Sequence, residues 1–408
     1  MFWVRIRAIA AAVIVTLIGV AAPVRAQSAG GPDDARVQLG PLALSPAIRL
    51  TNFGVDNNVF HESETPTSDT TATVSPVLEA RLGLPLVRVT GRSEIDLVYY
   101  NQLSHLRSLD TDNSARVELL LRSLTPHVAG RTARTRHRRN LEIDAPVRRL
   151  EEGAVVGAEL RLTEKISIDA MATRARVAYD GDTLYLDSDL ALALNRTATG
   201  EGVTFRYALT PFTTVGLHAE RQRDRFDFTP ARDSDSVRIM PVVEFKPLAL
   251  VSGRAQVGLR RRTFRDGQTP EFRGIAALVD LRYTLLGKTR FDVGAQRDLA
   301  YSYRTLQQEY LLTGVNLAVT QRLGASWDVR ANVGRSRLTY RVEDAGGTAV
   351  IAANSPAETV LSYGVDVGYS IGTTRLGMQV SRQERQSALS PRREYERLRI
   401  ASSLTYGF

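Results

Sequence analysis

Residues Leu398 to Phe408 read LRIASSLTYGF, and their alternation decides the fold. Steps of two back from Phe408 give Tyr406, Leu404, Ser402, Ile400 and Leu398, while the other parity gives Gly407, Thr405, Ser403, Ala401 and Arg399. One face is apolar and the other polar, over about the ~9 to 11 residues that a tilted membrane-crossing strand needs. An amphipathic edge strand of a soluble sandwich has the same period, so the remainder of the chain must separate the two.

At the other end, Arg5 and Arg7 precede an apolar run from Ala8 to Ala22, and Val24-Arg25-Ala26 places small residues where a signal peptidase reads them. Residues 1–26 are therefore expected to be a secretory signal peptide; a retained membrane anchor is the alternative. Its removal takes away Arg5, Arg7 and Arg25, lowering the formal charge from +9 to +6. The mature chain has only three lysines, Lys165, Lys246 and Lys288, and no cysteine. The lack of cysteine removes disulfides, thiol catalysis and cysteine metal sites from consideration. After the leader no apolar run is long enough for a transmembrane helix. Any crossing must use strands.

Residues 27–45 read as a short periplasmic lead, and 46–408 as one domain of amphipathic segments separated by turns of alternating length. Tight turns are expected at Leu84-Pro85, Leu124-Thr125-Pro126, Leu162 to Lys165, Leu209-Thr210-Pro211, Phe245-Lys246-Pro247, Leu286-Gly287-Lys288, Leu323-Gly324-Ala325 and Ile371-Gly372-Thr373. They recur roughly every 40 residues, which fits two long strands and a loop better than a propeller blade of four short ones. Eight such turns, with both chain ends on their side, imply an antiparallel up-and-down barrel of about 18 strands, an even number as single-chain bacterial barrels require. The last strand is expected to pair with the strand containing Pro46 to Phe53. Trp327, Tyr283, Tyr207 and Tyr406 would form one aromatic girdle, and Tyr99, Phe226, Tyr301, Tyr303 and Tyr340 the other.

Two segments resist. Arg297 falls on the lipid-facing parity, where a midplane arginine costs ~2 to 4 kcal/mol, so a bulge or a position near the outer interface is expected there. Leu190 to Leu209 changes parity between Leu194 and Val203, which suggests a bulge or an extracellular extension.

The polar face carries many arginines. Arg254, Arg282, Arg290, Arg322, Arg330, Arg375 and Arg399 are candidate lumen-lining residues, with Asp280, Asp292, Asp328 and Asp366 among the acids of the same face. Cross-strand ion pairs bracing the wall account for most of these in one reading; a surplus of fixed positive charge favouring anions is the other. The cluster Arg131, Arg134, Arg136, His137, Arg138 and Arg139 is expected at an extracellular strand end, near lipid phosphates, an acidic polymer or solvent, and not on nucleic acid. The histidines His61, His105, His127, His137 and His218 have no metal-ligand spacing, and Asp56-Asn57-Asn58 lacks the further acids of a calcium loop and reads as a turn. No catalytic residue, metal or cofactor is expected.

Gly54 to Phe60, GVDNNVF, resembles the aromatic-Asp-Ser-Asn-Val-aromatic signature of the outer-membrane β-barrel porins that accompany exopolysaccharide export clusters, with Val55 and Asn57 departing from it. The run Leu209 to Phe226 resembles the family's recurrent turn and strand. Terminal Phe408 with Tyr406 also resembles the signal read by bacterial barrel-assembly machinery. The resemblance implies a barrel in a Gram-negative outer membrane, in contact with lipid and lipopolysaccharide and associated with passage of polysaccharide. The functional expectation is a passive porin-like channel with an anion-leaning lumen, its cargo an acidic exopolysaccharide or fragments of one. A structural or adhesin-like barrel without conductance is the alternative, followed by an outer-membrane lipid hydrolase using His105 or His218. The loop Arg341 to Pro356 is expected either to fold inward as a constriction or to stay outside.

Overall fold

The computed structural model describes residues 37–136, 140–181, 183–247, 249–267, 269–305, 307–343, 349–350 and 355–407. Eighteen antiparallel strands form the wall. In chain order they are β1 Leu42–Asp56, β2 Asp69–Gly83, β3 Val87–Tyr100, β4 Ser108–Leu119, β5 Leu124–Thr135 and β6 Arg149–Arg161. Next come β7 Ile166–Tyr179, β8 Arg196–Ala208, β9 Thr213–Phe226, β10 Ser234–Phe245, β11 Val251–Phe264 and β12 Phe272–Leu285. The last six are β13 Thr289–Tyr301, β14 Glu309–Leu323, β15 Trp327–Tyr340, β16 Ala357–Ile371, β17 Thr374–Ser387 and β18 Tyr395–Tyr406. Each pairs with its sequence neighbour, and β18 returns to β1 through Ile48↔Tyr406, Leu50↔Leu404, Phe53↔Ser402 and Asp56↔Arg399. The ring is closed, so the long strands leave no edge for another chain to pair with.

The first strand starts at Leu42 instead of Pro46, because Val37–Leu39 folds back on Leu42–Leu44. Proline explains the detail. Pro46 precedes the first rung between β1 and β18, and Pro126 precedes the first rung between β4 and β5. Pro76 and Pro241 fall where the β2–β3 and β10–β11 ladders skip rungs. Each strand proline thus lies where one neighbour makes no rung, which suits a residue with no N–H to donate. The same effect corrects the turn expected at Leu124-Thr125-Pro126: the connection is 120–123, and those three residues begin β5.

The apolar residues point outward. Ile48, Leu217, Ile239, Leu259, Val315, Val365 and Met378 are exposed on the outer surface, the reverse of a soluble sandwich. Tyr406 stands exposed on the short-turn side, where Trp327 packs on Tyr369 at 4.7 Å and Tyr283 on Phe291 at 6.0 Å. The second belt differs from expectation. Phe226, Tyr301, Tyr303 and Tyr340 are buried inside the barrel mouth, leaving Phe53, Tyr99 and Tyr363 among the exposed outward aromatics toward that end. Arg297 faces outward with no break in the β13–β14 ladder, four residues from the extracellular end of β13, and its Nη1 donates to Thr313 Oγ1 at 3.1 Å. Proximity to the interface therefore resolves it, not a bulge. The parity change after Leu190 arises from a one-turn helix, α1 Leu190–Leu194, capped by Asp189, whose Oδ1 accepts from Ala191 N at 2.8 Å. Leu190 and Leu194, one turn apart, are buried while Leu192 is exposed.

Candidate functional site

All seven lumen candidates sit on the inward parity of their strands, but the wall supplies more carboxylates than the sequence reading weighed. Glu79, Asp112, Glu220, Glu244 and Asp298 also pair with inward arginines. Arg254 Nε lies 3.3 Å from Glu244 Oε1. Arg375 donates to Asp328 at 2.6 and 3.0 Å and also to Asp366. Arg399 faces Asp56 in register, and Arg322 faces Asp328 near the periplasmic rim. Asp292 is different, because three guanidinium groups converge on it: Arg282 at 2.9 Å, Arg290 at 3.2 Å and Arg330 at 2.9 Å. At that part of the wall arginine outnumbers the carboxylate it is paired with.

Chain segments fold across the extracellular mouth. Residues 140–148, between β5 and β6, cross to the nearly opposite side of the ring. There Glu142 Oε1 accepts from Ser302 Oγ at 2.5 Å and Oε2 from Tyr303 N at 3.2 Å. Tyr310 Oη donates to Asn140 Oδ1 at 3.0 Å and Arg385 Nη1 to the Leu141 carbonyl at 2.7 Å. On the near side His61 Nδ1 lies 2.7 Å from Asp144 Oδ1. Glu142 is fully buried, and burial pushes its carboxyl up to about 7 despite the Ser302 hydrogen bond and the Arg393 charge.

Arg393, in the connection from β17 to β18, ties these segments together. Its Nη2 donates to the Glu142 carbonyl at 2.8 Å, and its Nη1 to Tyr303 Oη at 3.0 Å and Tyr185 Oη at 3.1 Å. The same guanidinium pairs with Glu358 of β16, which also accepts from Arg385, Ser387 Oγ at 2.9 Å and Tyr340 Oη at 3.3 Å. Beside this polar network Ile143, Leu190, Leu194, Phe226, Tyr179, Tyr301 and Tyr303 form an apolar cluster. Below it lies a cavity of about 240 Å³ lined by Arg149, Arg196, Arg238, Arg260 and Arg262 with Asp224, Asp298 and three tyrosines.

Residues 140–148 fold inward at the mouth. Of the loop Arg341 to Pro356, residues 344–348 and 351–354 lie outside the described residues; Arg341 itself is buried on Glu309 at 2.8 Å. The basic cluster divides: Arg131 turns inward to Asp112 at 2.6 Å, Arg134 faces outward, Arg136 donates to the His105 carbonyl at 2.6 Å, and residues 137–139 are not described. His105 stacks on Phe60 in an extracellular turn, whereas His218 lies inside the barrel at mid-strand, away from the outer rim, with its Nδ1 2.9 Å from Thr204 Oγ1 and its Nε2 3.7 Å from Glu220 Oε2. Among the described residues no group of three or more His, Asp or Glu could hold a metal. Residues 1–36 and Phe408, and with them the expected signal peptide and the terminal half of the assembly signal, lie outside the described residues.

The run Gly54 to Phe60 has a structural task that sequence reading missed. Asn58 Nδ2 donates to the Glu62 and Glu396 carbonyls at 2.7 and 2.9 Å, Asn57 Oδ1 accepts from Leu398 N at 2.7 Å, and Asp56 pairs with Arg397. These bonds fasten β1 to β18 at the extracellular end.

A closed eighteen-stranded ring with an apolar exterior, a charged interior and a constricted mouth defines an outer-membrane β-barrel of the channel class. The family model described as "Putative beta-barrel porin 2" matches residues 35–408, and the chain belongs to that family of the bacterial outer membrane. Similar solved structures include a BenF-like porin from Pseudomonas fluorescens Pf-5, at 13% identity and TM-score 0.46, covering 90% of this chain and 99% of that one. The outer membrane protein opdK from Pseudomonas aeruginosa is 9% identical, with TM-score 0.46 and coverage of 89% and 98%. The FrpB iron transporter from Neisseria meningitidis (F3-3 variant) is 10% identical, with TM-score 0.44; 84% of this chain is covered, and it spans 62% of that transporter. No curated protein matches the chain.

Proposed function

We propose that this protein is a passive channel that favours anions and is narrowed at its extracellular mouth by residues 140–148, with acidic saccharides as the preferred cargo. The observation that carries this reading is the convergence of Arg282, Arg290 and Arg330 on the single carboxylate of Asp292. A solute passing that part of the wall meets more fixed positive than negative charge, which raises the local anion concentration. The arginine-lined cavity beneath the mouth adds a second station where a carboxylate can be held. Purified protein in planar bilayers under a salt gradient tests this: chloride should carry most of the current, and a clear potassium preference would overturn the reading.

Passage of an intact exopolysaccharide, the finer expectation of the family resemblance, requires residues 140–148 to leave the mouth. A structural barrel without conductance is favoured by one observation, the meeting of several extracellular segments on Arg393. Zero conductance from folded protein, including after loosening of that network, would select the structural reading.

A further inference from the structure

The outward arginines of the barrel are confined to one end. Among the described residues, each lies within five positions of the extracellular end of its strand, as Arg174 in β7, Arg223 in β9 and Arg261 in β11 do. The periplasmic halves of the outward face carry none. This is where the cost of a charge beside lipid falls away, at the level of the headgroups. In a bacterial outer membrane the outward extracellular level borders the outer leaflet.

One sector of this belt has a built geometry. Arg297, Thr313, Arg337, Thr359 and Gln386 occupy a single register row across β13 to β17, and Arg335 stands one outward position nearer the apolar band, between Val315 and Leu361. Arg297 and Arg337 flank Thr313, so their main chains are about 10 Å apart at the usual strand spacing. Arg335 and Arg337 have no carboxylate partner among the described residues, whereas Arg382 on the same surface is held by Glu384 at 2.8 Å and Glu396 at 2.9 Å. Arg337, Thr359 and Gln386 line a surface groove of about 610 Å³, with Glu394 at its extracellular edge. The side chains of Thr359 and Gln386 form no hydrogen bond within the described protein.

We infer that Arg297, Arg335 and Arg337 form a docking site for the phosphate groups of lipopolysaccharide in the outer leaflet, with Thr359 and Gln386 beside the adjoining sugar. Arginine presents a planar fork that matches phosphate oxygens in pairs, and at the membrane interface such contacts are only partly screened. The complementarity is one of charge and position: cations without a carboxylate partner among the described residues stand outward, at the depth of the lipid phosphates, above an apolar wall that takes the acyl chains. Peptide or free sugar would have no reason to be held against a surface that faces lipid. The site is independent of conduction, since none of its side chains points into the lumen.

The test uses the full folded barrel in detergent with purified lipopolysaccharide as probe, and native mass spectrometry and gel mobility as readouts. Wild type should retain intact lipopolysaccharide at least tenfold better than enzymatically dephosphorylated material. The combined R297Q/R335Q/R337Q variant should lose that difference, while R382Q, whose charge is already neutralised, should stay within about twofold of wild type. Equal retention of intact and dephosphorylated lipid by wild type overturns the inference and needs no variant. So does unchanged binding by the triple variant once heat-resistant gel mobility shows that it is folded. If the triple variant fails to fold, R335Q/R337Q replaces it with the same expected loss.

Discussion

Arg393 Nη2 donates to the main-chain carbonyl of Glu142 at 2.8 Å, joining the connection before the last strand to a segment that begins on the far side of the ring. The same side chain holds Glu358, Tyr303 and Tyr185, so one guanidinium fixes four parts of the mouth. Arg393→Ala leaves Arg385 as the one guanidinium on Glu358, beside the Ser387 and Tyr340 hydroxyls, so the loss should stay below the about 3 to 5 kcal/mol of a buried charge left with no partner. The barrel wall should remain folded by heat-resistant gel mobility. Single-channel conductance should rise and become noisier, and an unchanged conductance would show that these segments do not narrow the pathway.

Glu142 should make that narrowing depend on pH. Its carboxyl is raised to about 7 when the segment is docked, against 4.5 in water, because burial disfavours the charged form. The groups facing it are the Ser302 hydroxyl, the Tyr303 N–H, Arg393, Arg232 and Glu358, with the Tyr310 and Tyr340 phenols close by. A raised acid binds its proton more tightly when docked. Its contribution to docking is fully present below about pH 4.5, falls as pH rises towards 7 and is lost above it, on the order of 3 kcal/mol in total. Conductance should therefore be greater at pH 8 than at pH 5. Glu142→Gln, which keeps the docked shape without the charge, should hold conductance low and flat over that range; a wild-type profile in this variant would locate the titration elsewhere.

The wall was legible in the sequence because strand parity is local. The strand count, the outward apolar face and the closing pair Leu50↔Leu404 all follow from alternation and turn residues. Shifts such as the turn before Leu124 came from proline, whose missing N–H matters only once the neighbouring strand is known. The mouth was not legible. Asn140 to Arg148 has no period, and Glu142 gains its character from Ser302, Tyr303 and Arg393, which are remote in sequence. The available signal was composition: Leu141 and Ile143 on either side of an acid, a few residues after a run of arginines. Tyr301 and Tyr303 misled for a related reason. Their strand ends turn inward at the mouth, so counting by twos assigned them to a lipid belt.

Asp292 offers a test of selectivity that spares the fold. The pairs it makes with Arg282, Arg290 and Arg330 are partly solvated, and such pairs contribute about 0 to 1 kcal/mol each. Asp292→Asn removes the only carboxylate they share. The chloride preference measured from reversal potentials should increase severalfold, and Arg290→Gln should shift it the other way. Identical reversal potentials in both variants would mean that this part of the wall does not set selectivity.

The seam between β1 and β18 should be the most sensitive part of the wall, and two neighbouring residues separate its contributions. Asn58 is buried, and its side chain satisfies the Glu62 and Glu396 carbonyls and the Glu62 N–H. Asn58→Ala strands those groups at a cost of about 1 to 3 kcal/mol, so the barrel should still close but melt at a lower temperature. Gly54 is a backbone constraint instead. A Cβ there would lie 2.0 Å from the Ile400 carbonyl oxygen and 2.6 Å from Ala401 Cα, so Gly54→Ala must push β18 away just above the bulge that follows Leu50. Because β18 is the strand that closes the ring, the folded yield itself should collapse. Gly83→Ala, where an added Cβ meets nothing within 4 Å, controls for the general effect of changing glycine and should fold like wild type. Heat-modifiable mobility after refolding measures all three. If Gly54→Ala folds as well as Gly83→Ala, the close approach of β1 and β18 at this point is not what closes the barrel.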